Sequence, residues 1–339
     1  MGNYSTEVFE GMEDKKLTYY DIYGFVIAVD KDMKKAFDLE YWRFKTDKVK
    51  KADLYIIKTD KKDLPIKLRL DKIGIYIPFD KKEKTVYYEE GIQADWVLYS
   101  IEPLIRWKDK CFLHCGAVEK DRGAILFPAE GGVGKTTMAM FLTGRGYNYL
   151  SDDWLIIGDD GKAYPFYKTV HVFDYNLKDK EIAKKVLGRK AVFVKFRIFS
   201  LNLLQTLMPH RFVRIFAERF MPIFSIDIQK LHPNAKLGKV SKIRKIYWLK
   251  KDKKTDKPYL VKSNYKKVTE KMPYITALET NHFYKNYLEW VYKNQSNEEI
   301  ESRTEKDRKI MEKAFKNSEV YELFVPDNIN PNEVYKIIK

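Results

Sequence analysis

From residue 17 to about 100, apolar and polar positions alternate in short runs: "YGFVIAV", "ADLYIIKT", "KIGIYIPF" and "KTVYYEE". A period of two with Asp/Lys turns between the runs predicts β-hairpins. The pattern then changes. In "ADWVLYSIEPLIRW", Trp96, Leu98, Ile101 and Leu104 recur near helical spacing and predict a helix. "CFLHCGAVEK" and "GAILFP" read as strands joined at "KDRG", "TTMAMFLTG" as a helix ending at Gly144 or Gly146, and "YNYLS" as a further strand. "WLII", the turn "GDDG" and "AYPF" predict a second hairpin. Helical periodicity returns at "SLNLLQTLM", restarts at Pro209 in "PHRFVRIFAERFM" and stops at Pro222. "KIYWL" predicts a strand, and "TNHFYKNYLEWVYKN" and "EIESRTEKDRKIMEKAF" predict helices. The chain closes on the strand "VYELFVP" and the helix "PNEVYKIIK". We divide it into a β-rich segment, 1–105, expected to shape access to the rest of the chain, and an α/β domain, 106–339, with a mixed sheet.

Composition narrows the class. A chain of 339 residues, 45% hydrophobic and 15% aromatic, is long enough for a sizeable core and predicts folded structure throughout most of its length. No apolar run reaches the roughly 18 residues of a membrane span, and the N-terminus lacks an apolar signal core. Its first residues, "MGNYST", do match the short N-myristoylation pattern. Cys111 and Cys115 are too few to staple such a chain and read as buried thiols of a reducing compartment, so the expected location is cytoplasmic. The formal charge of +16 is unevenly placed. Residues 189 to 251 hold 15 Lys and Arg against Glu218 and Asp227, a net of +13. That stretch is expected to present a basic face, and Arg211, Arg214 and Arg219 within "PHRFVRIFAERF" predict a patch that docks an acidic acceptor. Nucleic acid and an anionic membrane are the lesser candidates for that surface.

The chemistry concentrates in "ILFPAEGGVGKTTMAMFLTGRGYNYLSDDWLII", residues 125 to 157. Strand, glycine loop, helix, strand is a βαβ unit, whose handedness brings both strand ends to one edge of the sheet. There the loop Ala129, Glu130, Gly131, Gly132, Val133, Gly134, Lys135, Thr136, Thr137 meets Asp152 and Asp153, where open α/β sheets bind ligands. The glycines let successive N–H groups face one anion, and the helix N-terminus adds partial positive charge. Lys135 supplies a full charge for the β- and γ-phosphate oxygens of a bound polyphosphate, and the Thr136 hydroxyl is placed to ligate Mg²⁺. Against the pattern G-x-x-x-x-G-K-[ST], Ala129 replaces the first glycine, so the loop entry must avoid positive φ.

Two families resemble this stretch. "GGVGKTT" is similar to the loop of ParA/MinD-type ATPases, which carry lysine where Glu130 stands and an Asp-x-Asp pattern where this chain has adjacent aspartates. That likeness implies a nucleotide-dependent binding switch acting on an acidic partner. From "LHCGAVEKDRGAILFPAEGGVGKTT" through "GRGYNYLSDDWLII", the chain resembles the catalytic domain of HPr kinase/phosphorylase more fully. The resemblance covers about residues 105 to 180. It implies a P-loop domain of the HPr kinase/phosphoenolpyruvate carboxykinase type, and an ATP- and Mg²⁺-dependent kinase acting on a hydroxyl acceptor, either a peptide or protein serine or a small molecule. It further implies that one aspartate is the general base, here taken as Asp152 with Asp153 on Mg²⁺, and that His114 belongs to the active site. No counterpart of that family's long glycine-bearing signature follows downstream, so transfer rather than reverse phosphorolysis is expected. Lys168 and His171, in "YPFYKTVHVF", are candidates for a place near the phosphates, but the reading preferred for both is an ordinary position outside the site.

Overall fold

The N-terminal alternation does build a sheet, though of another kind. The computed structural model describes residues 17–49, 51–59, 68–70, 75–77, 84–90, 105–106, 108–172, 177, 180–188, 191–207, 222, 224–292, 296, 298–327 and 329–339. Strands β1 (Thr18–Ile22) and β2 (Phe25–Val29) form a hairpin across Tyr23 and Gly24, at φ of 54° and 86°. Two consecutive positive φ values are what a two-residue hairpin turn demands. Helix α1 (Lys31–Tyr41) follows, a helix the alternating pattern did not predict. Its buried residues Met33, Phe37 and Tyr41 recur every four positions among charges, and each is at most 2% exposed.

Helix α1 changes the topology. It carries the chain across, so β2 pairs in parallel with β4 (Leu54–Lys58), and β4 pairs in parallel with β7 (Thr85–Tyr88). The predicted antiparallel pairing holds for β1 with β2 and among residues 68–70, 75–77 and 85–88, and only the centre of the sheet is corrected to parallel. The signal lies in "FVIAV", apolar without alternation and buried at every position, as a parallel strand covered on both faces should be. With β3 (Lys45–Thr46), β5 (Leu68–Leu70) and β6 (Ile75–Ile77), the order is β3-β1-β2-β4-β7-β6-β5. Asp30 fixes this corner. Its carboxylate accepts from Met33 N at 3.0 Å, Lys58 N at 2.6 Å and the Tyr88 hydroxyl at 2.7 Å, joining helix to both parallel strands.

The second sheet is mixed. Strands β8 (Lys110–Lys120) and β9 (Gly123–Pro128) form the predicted hairpin, turning at Asp121 and Arg122, and β11 (Trp154–Gly158) and β12 (Lys162–Tyr164) form the next. Helix α2 (Lys135–Gly144) leads to β10 (Asn148–Ser151). A separate pair, β13 (Val170–Val172) and β14 (Phe224–Ile226), is flanked by helices α3 (Lys180–Leu187), α4 (Ala191–Leu207) and α5 (Ile228–Leu231). Strand β15 (Ser241–Lys251) runs parallel to both β9 and β17 (Glu319–Val325), and β16 (Tyr259–Lys262) closes the edge against β17. Between β16 and β17 lie α6 (Tyr265–Glu279), α7 (Asn281–Val291), α8 (Glu298–Glu301) and α9 (Arg303–Phe315), and α10 (Pro331–Ile338) ends the chain.

The two sheets share one core. Tyr20, Phe37, Tyr41 and Phe44 pack in the same buried cluster as Phe112, Trp154, Phe166 and Phe283. Phe44 stacks on Phe166 with ring centroids 5.5 Å apart, and the Tyr23 hydroxyl donates to Pro165 O at 2.6 Å. The N-terminal sheet therefore holds the segment from Pro165 onward in place. Cys111 and Cys115 are buried thiols outside any disulfide, as expected. Among the described residues no helix is long and apolar enough to cross a membrane. The predicted helices at 94–107, apart from Ile105 and Arg106, and at 209–221 lie outside the described residues, and with the latter the patch of Arg211, Arg214 and Arg219.

A candidate active site at a broken strand

Strands β10 and β11 lie end to end along β8. Asn148, Ser151 and Trp154 stand opposite Glu119, Ala117 and His114, so one long antiparallel strand is interrupted only at Asp152 and Asp153. A register shift between Tyr149 and Ser151 bends the strand just before them. Cys115 N still donates to Asp153 O at 2.7 Å, and on its other side Cys115 pairs with Pro128, the last residue of β9. β9 and β10 are thus parallel with β8 running between them. The predicted βαβ unit spans an intervening antiparallel strand, and the chain leaving its two C-terminal ends meets at Cys115, as two parallel strands require.

The glycine loop occupies that meeting point. Gly132 and Gly134 sit at φ of 72° and 116°, with Gly134 capping α2. Ala129 is fully buried and absent from the positive-φ positions, so the loop enters by a route alanine tolerates. Lys135 Nζ donates to Glu130 O at 3.0 Å, folding the side chain back under its own loop, and Thr136 Oγ1 donates to Asp152 O at 3.3 Å. α2 approaches β8 so closely that a Cβ on Gly116 would stand 2.8 Å from Lys135 O. Backbone on both sides leaves nothing soft to yield. Gly116→Ala is expected to push the first turn of α2 off β8, at a stability cost of about 1–3 kcal/mol. Thermal unfolding checks this, and a wild-type midpoint would contradict it.

The adjacent carboxylates diverge. Asp153 is 49% exposed at its side chain, and its Oδ1 lies 2.9 Å from His114 Nε2. Desolvation by the walls of the site alone would raise its pKa; the His114 hydrogen bond and the charges of His114, Lys135 and Lys168 outweigh that and hold it below the usual carboxylate range. Asp152 is buried, 5% exposed, and accepts from the Tyr149 hydroxyl at 2.7 Å. Its burial and the neighbouring Asp153 charge push its pKa up to about 7. Lys135 is itself buried, and that burial lowers its pKa against the opposing pull of Asp153 and Glu279. One aspartate stays ionised while its neighbour titrates near neutrality, a split set entirely by surroundings.

His114, Lys135, Thr136, Asp152 and Asp153 are brought together as the sequence predicts. Lys168 and His171 correct the reading made above. Both line a cavity of about 70 Å³ together with Thr136, Ser151, Asp152, Asp153, Trp154, Phe166 and Thr169. They reach it because residues 165–169, tightened by a Lys168 N to Phe166 O hydrogen bond of 3.1 Å, pass the aspartates before β13 begins. Glu279 was missed altogether. It ends α6, where its Oε1 lies 3.2 Å from His114 Nδ1, and 3.5 Å from where a Gly131 Cβ would stand. The Glu279 contact is an ion-pair distance outside hydrogen-bonding geometry, since His114 Nδ1 has no hydrogen-bond partner. Nothing near Glu279 in sequence marks it; only the packing of α6 on β8 does.

No protein-family model matches the chain, and no curated protein shows significant similarity to it. The chain is a mixed α/β protein with several sheets.

Proposed function

We propose that the chain is an ATP- and Mg²⁺-dependent kinase that transfers the γ-phosphoryl group to a hydroxyl acceptor, built on a P-loop domain of the HPr kinase-like type. The observation that carries this reading is the split between Asp152 and Asp153 beside Lys135. Phosphoryl transfer to a hydroxyl needs a positioned metal nucleotide and a group that takes the hydroxyl proton, and little else from the protein.

The residues fit the metal. Mg²⁺ is held through one or two carboxylates with phosphate oxygens and waters completing its octahedron, rather than by an all-protein cage. Ionised Asp153 and the Thr136 hydroxyl supply such donors, and among the described residues no cluster of three or more His, Cys, Asp and Glu offers a cage instead. When bound, the metal neutralises charge developing on the transferring phosphoryl group. His114 is a positioning residue, aiming the Asp153 carboxylate through Nε2. Lys135 swings from Glu130 O to the phosphate oxygens, replacing one weak acceptor by strong ones. Asp152 Oδ accepts the acceptor's hydroxyl proton, and the Tyr149 hydroxyl keeps that carboxylate aimed into the cavity.

A base that titrates near neutrality imposes a pH profile. Asp152 works only when ionised, so kcat/KM, which reports the free enzyme, should rise as pH passes about 7 and level off above. Lys168 pulls Asp152 towards ionisation, so Lys168→Met should move the rise to higher pH and lower acceptor kcat/KM by about tenfold or more. A flat profile between about pH 5 and 9 would contradict the base assignment. The kinase reading itself is tested by ADP production measured with and without a fractionated pool of candidate acceptors. Stimulation by an acceptor fraction supports it; ADP production indifferent to every fraction describes a nucleotide switch instead.

A further inference from the structure

Helix α4 turns its apolar residues the wrong way for a globular protein. Val192, Phe193, Phe196, Phe199, Leu203 and Leu207 are 44 to 83% exposed. Their spacing of one, three, three, four and four positions puts all six on a single stripe at about 100° per residue. The opposite side of the helix is the buried one. Ala191, Val194 and Ile198 pack against the cluster containing Tyr149, Val170 and Val172. The stripe is therefore a second apolar face, in addition to the one that anchors the helix. A contiguous exposed patch of this extent marks an interaction surface.

Charge says what covers it. The only ionisable residues on α4 are Lys195 and Arg197, both cations. At helical spacing they fall on the two flanks of the stripe, on either side of the phenylalanines. They belong to residues 189–251, which carry +13 of the chain's +16. A second copy docking face to face would bring two such cationic margins together, which like-charge repulsion opposes. An anionic bilayer supplies the complement to both features: acyl chains for the stripe and lipid phosphates for its flanks. With 17 residues, α4 is about 25 Å long and is not a spanning helix, so the geometry is that of a helix lying in the interface plane.

We infer that the exposed face of α4 docks the protein on an anionic membrane surface, with Phe193, Phe196 and Phe199 entering the acyl boundary and Lys195 and Arg197 at the headgroups. This surface is one packing layer from the cavity: the Val170 and Val172 that support α4 flank His171, and Tyr149 holds Asp152. It does not depend on the kinase reading.

The test is co-sedimentation of the full, unacylated chain with phosphatidylcholine vesicles, with and without phosphatidylserine, over a salt series. The wild type should pellet with the anionic vesicles at least about tenfold better than with the neutral ones, and release as salt rises. Phe193→Ser/Phe196→Ser/Phe199→Ser should cut association about tenfold or more while leaving the unfolding midpoint unchanged or raised, since these side chains are exposed. Lys195→Glu/Arg197→Glu should lose anionic-vesicle binding to a similar extent. Failure of the wild type to pellet, or pelleting that the phenylalanine variant retains, overturns the inference. Sedimentation velocity showing a wild-type dimer that the same variant dissolves, without vesicle binding, assigns the face to a second copy and overturns it too. So does an RNA mobility shift, abolished by Lys195→Glu/Arg197→Glu, from a protein that ignores vesicles.

Discussion

Asp152→Asn is expected to abolish transfer yet yield a more stable protein. Removing a general base from this step costs on the order of 10²–10⁴ in rate. ATP binding should be spared, because the Thr136 hydroxyl bonds the Asp152 backbone carbonyl rather than its side chain. Stability moves the other way. Folding raises the Asp152 pKa to about 7 from its ordinary 3.8, so the folded state holds a proton that the unfolded chain has released. Stability therefore falls as pH climbs from 3.8 through 7 and stays lower above. An amide never has to ionise in that buried site, and its oxygen still accepts from the Tyr149 hydroxyl. Above about pH 7 the variant should gain on the order of 2–4 kcal/mol, with a Tm higher by several degrees. Below about pH 4 the two proteins should unfold together. Equal Tm values across the whole range would mean Asp152 is not a destabilised carboxylate, and its assignment as base would go with it.

The second large effect belongs to Lys135. Lys135→Ala removes the one cation of the glycine loop, whose charge faces Asp153, Glu279 and Asp152. Losing a preorganised charge at the transferring phosphoryl group costs about 10²–10³ in kcat. Without it the acidic groups also repel the nucleotide, so ATP should bind more weakly as well. The fold should persist, since Lys135 Nζ bonds only the carbonyl of Glu130 in the same loop. Single-turnover transfer with saturating ATP separates the two losses. Transfer within a few-fold of wild type would remove the loop from the mechanism.

How much of this was readable in advance depends on where each residue's position is decided. The loop, its helix and the two aspartates were legible because a local pattern encodes them: apolar strand, glycines at positive φ, helix start, strand end. Even the meeting of Lys135 with Asp152 followed from the parallel strands that a crossover helix joins. What the pattern did not show is that β8 runs between the two strands, nor that Gly116 must be glycine for α2 to approach it. Lys168 and His171 were misread because nothing local places them. Their segment is held by Phe44 stacking on Phe166 and Tyr167, and by Tyr23 bonding Pro165 O, contacts made by residues more than a hundred positions earlier. Glu279 depends on the course of α6, a helix that Pro273 disguises in sequence. Helix α1 was hidden for another reason. Its three buried residues, Met33, Phe37 and Tyr41, sit in a charged stretch between strands, and the surrounding period-two pattern masks them. The basic stretch was legible as charge, while the apolar stripe of α4 emerged only once its exposed side was known.

The central claim is that phosphate leaves ATP for a hydroxyl, and one measurement addresses it directly. ATP labelled at the γ-phosphate is incubated with the protein, Mg²⁺ and fractionated cell extract, in parallel with Lys135→Ala. The account predicts label in an acid-stable phosphate ester, in one fraction, for the wild type alone. Label appearing only as inorganic phosphate in every fraction would contradict it.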